Sequence, residues 1–258
     1  MMQGLFGRTS KIETGWDPTK IPGCVGYFRS DFAYQDAEKV IPCTNDTLIY
    51  TGENQVVGGA ENDLIQVTEA KRFVYKVNQL DGCPAWLADG LDDFMLTNGS
   101  LGTLVNGDKK PFSIFLAMQR INSTGGLGGW VATGNPWTFI QYIAVWITKF
   151  AHQGNTNTGS FNVPTENMDT NPHSQIWTQD GELSNAWVDS IQKITDQPAY
   201  VGPYIGIDQF IIGRHPAAEG TWHFNGYYFE IAIYDNVISE PSRALLNSYV
   251  ATRYPSII

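Results

Sequence analysis

Between Pro111 and Ile121 the sequence reads PFSIFLAMQRI, with Phe112, Ile114, Leu116 and Met118 at every second position. Successive side chains of an extended strand point to opposite faces, so an apolar period of two marks a strand with one face in a core. Ser113, Ala117 and Gln119 fall on the other face. A strand cannot stand alone, because its backbone N–H and C=O groups need partners on neighbouring strands. This one segment therefore requires further strands elsewhere in the chain.

The rest of the sequence supplies them. Gly23–Phe32 reads as a first strand leading into a loop, and Thr47–Thr51 and Phe73–Val77 as short strands between turn residues. Thr138–Phe150 is long enough for one curved strand or two joined ones, and its apolar residues on both faces place it centrally. The TGGLGGW segment, with Gly125, Gly126, Gly128 and Gly129, reads as a flexible loop. Residues 151–173 read as a long polar loop, which in a compact domain is usually functional or an interaction surface. Two hairpins are expected, one turning at Asp180-Gly181 and one at Asn225-Gly226. The second would run from Thr221–Phe224 into Tyr227–Tyr234, with Tyr227, Phe229, Ile231 and Ile233 on one face and Tyr228, Glu230, Ala232 and Tyr234 on the other.

One segment has a helical period. Ser239 is positioned to cap a helix over about Glu240–Arg253, with Pro241 in its first turn and Pro255 beyond its end. Leu245, Leu246, Tyr249 and Val250 would form its apolar stripe. Residues 1–20 show no period and read as an extended N-terminal arm outside the core, leaving 21–258 as one domain. At that length a domain buries about three quarters of its unfolded surface without needing staples. The expected fold is an all-β, two-sheet antiparallel sandwich with an N-terminal arm and a short C-terminal helix.

Several segments together resemble the concanavalin A-like (laminin G-type) jelly roll, in the branch common among bacteriophage and bacterial surface proteins. IPGCVGYFRSDFAY is similar to that family's opening strand, and CPAWLADGLDDFM to its Phe-Asp-Gly-x-Asp-Asp segment, with Ala88 in place of Phe. FIIGRHPAAEGTWHFNGYYFEIAIYDNVISEPSRALLNSYVATRY is similar to its closing strand and helix. The resemblance runs from about residue 21 to 254 and implies the jelly-roll form of the sandwich. It also implies that Asp92 and Asp93 build a turn by bonding nearby amides.

Charge and composition exclude some functions and leave others. Net charge is −10, with no Lys or Arg run, so neither nucleic acid nor an anionic membrane surface is an expected partner. No segment reaches the ~20 apolar residues of a membrane span, and the first residues lack a signal peptide's apolar stretch. Cys24, Cys43 and Cys83 are too few and too isolated for a disulfide framework or a zinc site, although one bridge, Cys24 to Cys43, stays open.

Catalysis on this fold would need carboxylates spaced along one strand face. Glu61-Asn62-Asp63 is the nearest approach and lacks the final Glu, the pair Asp92-Asp93 reads as structural, and Glu230 reads as structural, paired with Arg243 or Arg253. No catalytic residue is assigned, and no cofactor is expected. Calcium is the exception left open, since Asn167-x-Asp169-x-Asn171 sets oxygen ligands at alternate positions.

Tryptophans near the Gly-rich and polar loops remain, namely Trp130, Trp137, Trp177, Trp187 and Trp222. Exposed indoles stack on sugars and anchor protein interfaces. Trp130, Trp137 and Trp222 are taken as the glycan or partner contacts. The functional expectation is a non-catalytic binding or structural module. The resemblance implies a bacteriophage virion protein, in the capsid decoration or the tail, oligomeric and held by other virion proteins such as the major capsid or tail proteins. The alternative is a glycan-binding adhesin acting on cell-surface glycans, and a glycoside hydrolase ranks below both.

Overall fold

The computed structural model describes residues 15–99, 101, 111–121, 169–181, 183–198, 210–214 and 223–257, and the backbone of strands at 128–132, 141–146 and 149–154. The strands are β1 Cys24–Tyr34, β2 Thr51–Asn54, β3 Leu64–Ile65, β4 Val74–Leu80, β5 Cys83–Asp89, β6 Met95–Thr97, β7 Phe112–Arg120, β8 Gly128–Ala132, β9 Gln141–Trp146 and β10 Lys149–Gly154. They continue with β11 Pro172–Gln179, β12 Leu183–Val188, β13 Ile191–Pro198, β14 Phe210–Ile212 and β15 Asn225–Tyr234, and helix α1 spans Glu240–Arg253. Among the described strands every pairing is antiparallel, in the order β13-β12-β11-β7-β15-β1-β2-β3-β6-β14-β8-β9-β10, with β5 branching from β15 and β4 pairing with β5. The chain is an all-β sandwich with one short C-terminal helix, as its periodicities require.

β15 organises the molecule. One edge pairs with β7 along almost its whole length, from Gly226↔Arg120 to Tyr234↔Ser113. Its other edge is shared, with β5 beside residues 225–228 and β1 beside 230–234. A bulge lies where the two meet, because Tyr228 pairs with Met118 while Glu230 pairs with Ala117. One extra residue in a strand turns every later side chain to the opposite face. Tyr228 therefore joins Ile231 and Ile233 in the inner core, while Phe229 joins Ala232 and Tyr234 in the outer one. The strict alternation expected from sequence fails at this bulge.

Two cores result. The inner one lies between the layers and contains Phe28, Trp86, Phe112, Ile114, Leu116, Met118, Trp177 and Tyr228. The outer one lies under α1, where Phe115, Ala117, Ile176, Phe229 and Tyr234 meet Leu246, Val250 and Tyr254. β7 is thus buried on both faces, and the face that carries Ala117 packs in the outer core with the helix.

The helix has the expected bounds. Ser239 caps it and accepts from the Ser242 amide, Pro241 lies in the first turn, and the Tyr254 amide closes the end on the Val250 carbonyl. Its stripe is narrower than expected. Leu246 is fully buried, whereas Leu245 is 48% exposed. The described end of the arm also packs on the body. Trp16 lies against the outer core with its ring 5.7 Å from Tyr249, Pro18 is buried, and Asp17 caps a turn at Pro18–Lys20.

Other local expectations change. Thr47–Ile49 is not a strand; β2 begins at Thr51. Gly128 and Gly129 are strand residues of β8, paired with Val145 and Ala144 of β9, rather than loop. The segment expected to be one curved strand or two joined ones forms two, the hairpin β9–β10, and it lies at the end of the strand order rather than centrally. Residues 151–154 and 172–173, assigned to the long polar loop, lie in β10 and β11. The β11–β12 hairpin forms as expected, with Gly181 at a positive φ of 99°.

The Asn225-Gly226 hairpin does not form. Both residues lie within β15, flanked by Asp89 and Ala88 on β5, and the strand is preceded by the bridge Arg214↔His223 instead of a returning arm. Gly226 does not take a positive φ. A Cβ there would sit 2.2 Å from the Gln119 carbonyl oxygen and 2.7 Å from the Phe224 ring. Close packing, not a turn, is what requires glycine at this position.

Candidate functional site

The acidic residues divide into those committed to the fold and those at the rim. Glu230 is fully buried and accepts from Tyr249 and Tyr254 Oη at 2.8 Å and from Tyr27 Oη at 3.1 Å, with Arg253 Nε at 2.5 Å. This network ties β1, β15 and α1 together, so Glu230 is structural and Arg253 is its partner. Arg243 turns elsewhere, donating to the Ile238 carbonyl at 3.0 Å and lying 4.1 Å over Trp187. Asp63 of the Glu61-Asn62-Asp63 segment is also buried. Its Oδ1 accepts from the Asn54 amide at 2.8 Å and its Oδ2 lies 3.0 Å from Lys39 Nζ.

The rim cluster comes from CPAWLADGLDDFM. Gly90, at φ 79°, turns the chain after β5 and brings Asp89, Asp92 and Asp93 together, with one oxygen of each within 4.8 Å of the others. Asp89 Oδ1 accepts from the Leu91 and Asp92 amides, and Asp93 Oδ2 from the Asp89 amide at 3.1 Å. The amide-bonding turn implied by the resemblance is therefore present, built by Asp89 and Asp93 rather than Asp92 and Asp93. Burial, with Asp89 and Asp92 nearby, pushes the Asp93 carboxyl up to about 7. Around it lie Phe94, with the Arg214 guanidinium 3.9 Å from its ring centre, and buried His223, whose imidazole burial pulls below its ordinary range. Among the described residues this trio of carboxylates is the group with the spacing to hold a cation. The sequence had placed the metal option elsewhere, because proximity across a turn has no fixed ligand spacing.

At the calcium option, Asp169 accepts from the Asn171 amide at 2.7 Å, from Asn171 Nδ2 at 2.6 Å and faces His173 Nε2 at 3.1 Å. Asp169 and Asn171 bond each other, and Asn167 lies outside the described residues. Of the tryptophans, Trp130 lies in β8, its backbone opposite Ile143 and Ile212, while Trp137 and Trp222 lie outside the described residues. Trp177 is buried in the inner core and Trp187 is half-buried beneath Arg243. The cysteines form no disulfide, and burial pushes the Cys24 thiol up to about 12 and that of Cys43 to about 11.

No protein-family model matches the chain, and no curated protein is significantly similar to it. Solved structures do match. Domain 4 of AbnA, a GH43 extracellular arabinanase from Geobacillus stearothermophilus in complex with arabinotriose, superposes with TM-score 0.57 at 12% identity, over 87% of this chain and 98% of that domain. They share a fold. An arabinofuranosidase complexed with arabinofuranosyl-alpha-1,2-xylobiose superposes with TM-score 0.63 at 11% identity, over 90% of this chain and 63% of that one. The receptor binding domain of a botulinum neurotoxin C/D mosaic serotype gives 0.54 at 7%, over 88% of this chain. This chain spans about half of that toxin domain, 51% of its length.

Proposed function

We propose that this protein is a non-catalytic carbohydrate-binding β-sandwich. The observation that carries the reading is the match to nearly the whole of an arabinanase domain crystallised with arabinotriose. The state of the described carboxylates also supports it. Glu230 and Asp63 are committed to Arg253 and Lys39, and Asp89 and Asp93 accept from backbone amides of their own turn. The net charge of −10 repels sialylated ligands and favours neutral oligosaccharides. We assign the stacking contacts to Trp130, Trp137 and Trp222.

The test is a titration of the purified protein with neutral arabino- and xylo-oligosaccharides and with a sialylated ganglioside sugar, alongside a reducing-end release assay. The expected result is saturable binding of a neutral oligosaccharide without release. Alanine at one of the three tryptophans should weaken that binding about tenfold, or ~1.4 kcal/mol. Binding to no sugar would overturn the reading, and release of reducing ends would overturn its non-catalytic part. Placement in a bacteriophage virion rests on the sequence resemblance, and a fixed copy number in purified particles is its test.

A further inference from the structure

β11 carries two glutamines where a sandwich core takes apolar side chains. Gln175 lies opposite Leu116 of β7 and Val188 of β12, and Gln179 lies opposite Phe112 and Ser184. Leu116, Val188 and Phe112 belong to the inner core, and residues opposite one another share a face of the sheet. Both amides therefore point between the layers, on either side of Trp177. Gln175 is 0% exposed and Gln179 1%.

Neither amide is satisfied there. Gln175 Oε1 accepts from Trp177 Nε1 at 3.5 Å. Gln175 Nε2, Gln179 Nε2 and Gln179 Oε1 have no hydrogen-bond partner among the described residues. A side-chain amide offers two donors and an acceptor, and burying them unpaired costs their hydration with nothing in its place. An apolar side chain of similar shape would fill the same space without that cost. Buried polar groups in folded proteins are paired with protein, ordered water or a ligand. Three such atoms along one strand face mark a place for a partner that brings its own donors and acceptors.

The chemistry of the set selects that partner. Both amides are uncharged, and each can donate to one hydroxyl while accepting from another, which suits neighbouring hydroxyls on a neutral ring. Trp177, 2% exposed, adds an aromatic surface between them, and small-ligand sites combine such surfaces with a few placed polar groups. β11 reaches solvent at exposed Asp180, one residue past Gln179, so the set runs inward from the rim of the sandwich. Side chains this deeply buried form no open groove along which a polymer could lie. We propose that Gln175, Trp177 and Gln179 form a hydroxyl-binding site between the layers, which takes one neutral sugar unit from the Asp180 end. This inference rests on the carbohydrate-binding reading and adds to it the polar contacts and recognition of a chain end. Ordered water shares the hydroxyl chemistry, and the experiment separates the two.

The test titrates the full chain with neutral arabino- and xylo-oligosaccharides by calorimetry, and follows the side-chain N–H signals of Gln175 and Gln179 by NMR. Both signals should shift to saturation along the calorimetric curve, and the free monosaccharide should compete for the shift. Gln175→Leu and Gln179→Leu should each weaken binding about tenfold or more, yet melt at or above the wild-type temperature, because apolar atoms replace unpaired polar ones. Should a variant fail to fold, the wild-type signals decide alone. Sugar binding with unmoved glutamine signals, or without competition by the monosaccharide, would overturn the inference and leave the carbohydrate-binding reading standing. So would leucine variants that bind as wild type does; if they also melt lower, the amides hold water only. Wild-type protein that binds no sugar would remove both.

Discussion

Asp93 is 4% exposed, accepts one backbone amide and has two further carboxylates within reach. Its carboxyl titrates near 7 in the folded chain and near 3.9 when unfolded. The raised value means its contribution is fully present below about pH 3.9 and is lost as pH rises through about 7. Asp93→Asn keeps an oxygen for the Asp89 amide and removes the charge. The variant should melt close to wild type at about pH 3.5 and measurably above it at pH 8.5, by calorimetry at both values. An equal offset at the two values would contradict the buried charge. Residue-scale reading from sequence found that these aspartates form a turn, but not which one is buried, since burial depends on Phe94 and the strands beneath. It likewise left Glu230 with two arginines. α1 rises about 15 Å between Arg243 and Arg253, so only one end of it lies over Glu230.

At the scale of elements, the helix and the hairpin show opposite outcomes. Capping, proline placement and stopping are local chemistry, and Glu240–Arg253 forms where Ser239 and Pro255 place it. Asn225-Gly226 is also a strong local turn signal, yet pairing with β5 and β7 keeps it extended. Tertiary hydrogen bonds on both edges outweigh the turn preference of two residues. Gly226→Ala should therefore destabilise by about 3 kcal/mol or more, because a Cβ at 2.2 Å from the Gln119 carbonyl forces β15 off β7. Gly82→Ala, with φ 81° but nothing within 4 Å, should cost only about 1 kcal/mol. Urea denaturation of both variants separates the explanations; if Gly226 served a turn, the two would cost alike.

For the whole molecule, the cores are linked because β7 and β15 belong to both. Loss of packing under α1 should then lower the stability of the entire sandwich. Leu246→Ala, at a fully buried position, should cost about 2–5 kcal/mol, and Leu245→Ala, at 48% exposure, under about 0.5. Far-UV circular dichroism and tryptophan fluorescence should report one coincident urea transition for Leu246→Ala, shifted to lower concentration. Separated transitions would mean that the helix side unfolds independently.

What the sequence by itself determined was local: the period of two in β7, the cap and stop of α1, the turn at Gly181 and the absence of a basic footprint. Each depends on residues within a few positions of one another. Only the tertiary structure decided that β15 bulges at Phe229, that Gly226 lies in a strand, that β9–β10 ends the order instead of centring it, and that Gln175 and Gln179 are buried between the layers. The physical reason is that a side chain's face, burial and charge partners depend on strands far away in the chain, and a one-residue shift in register reverses every face beyond it.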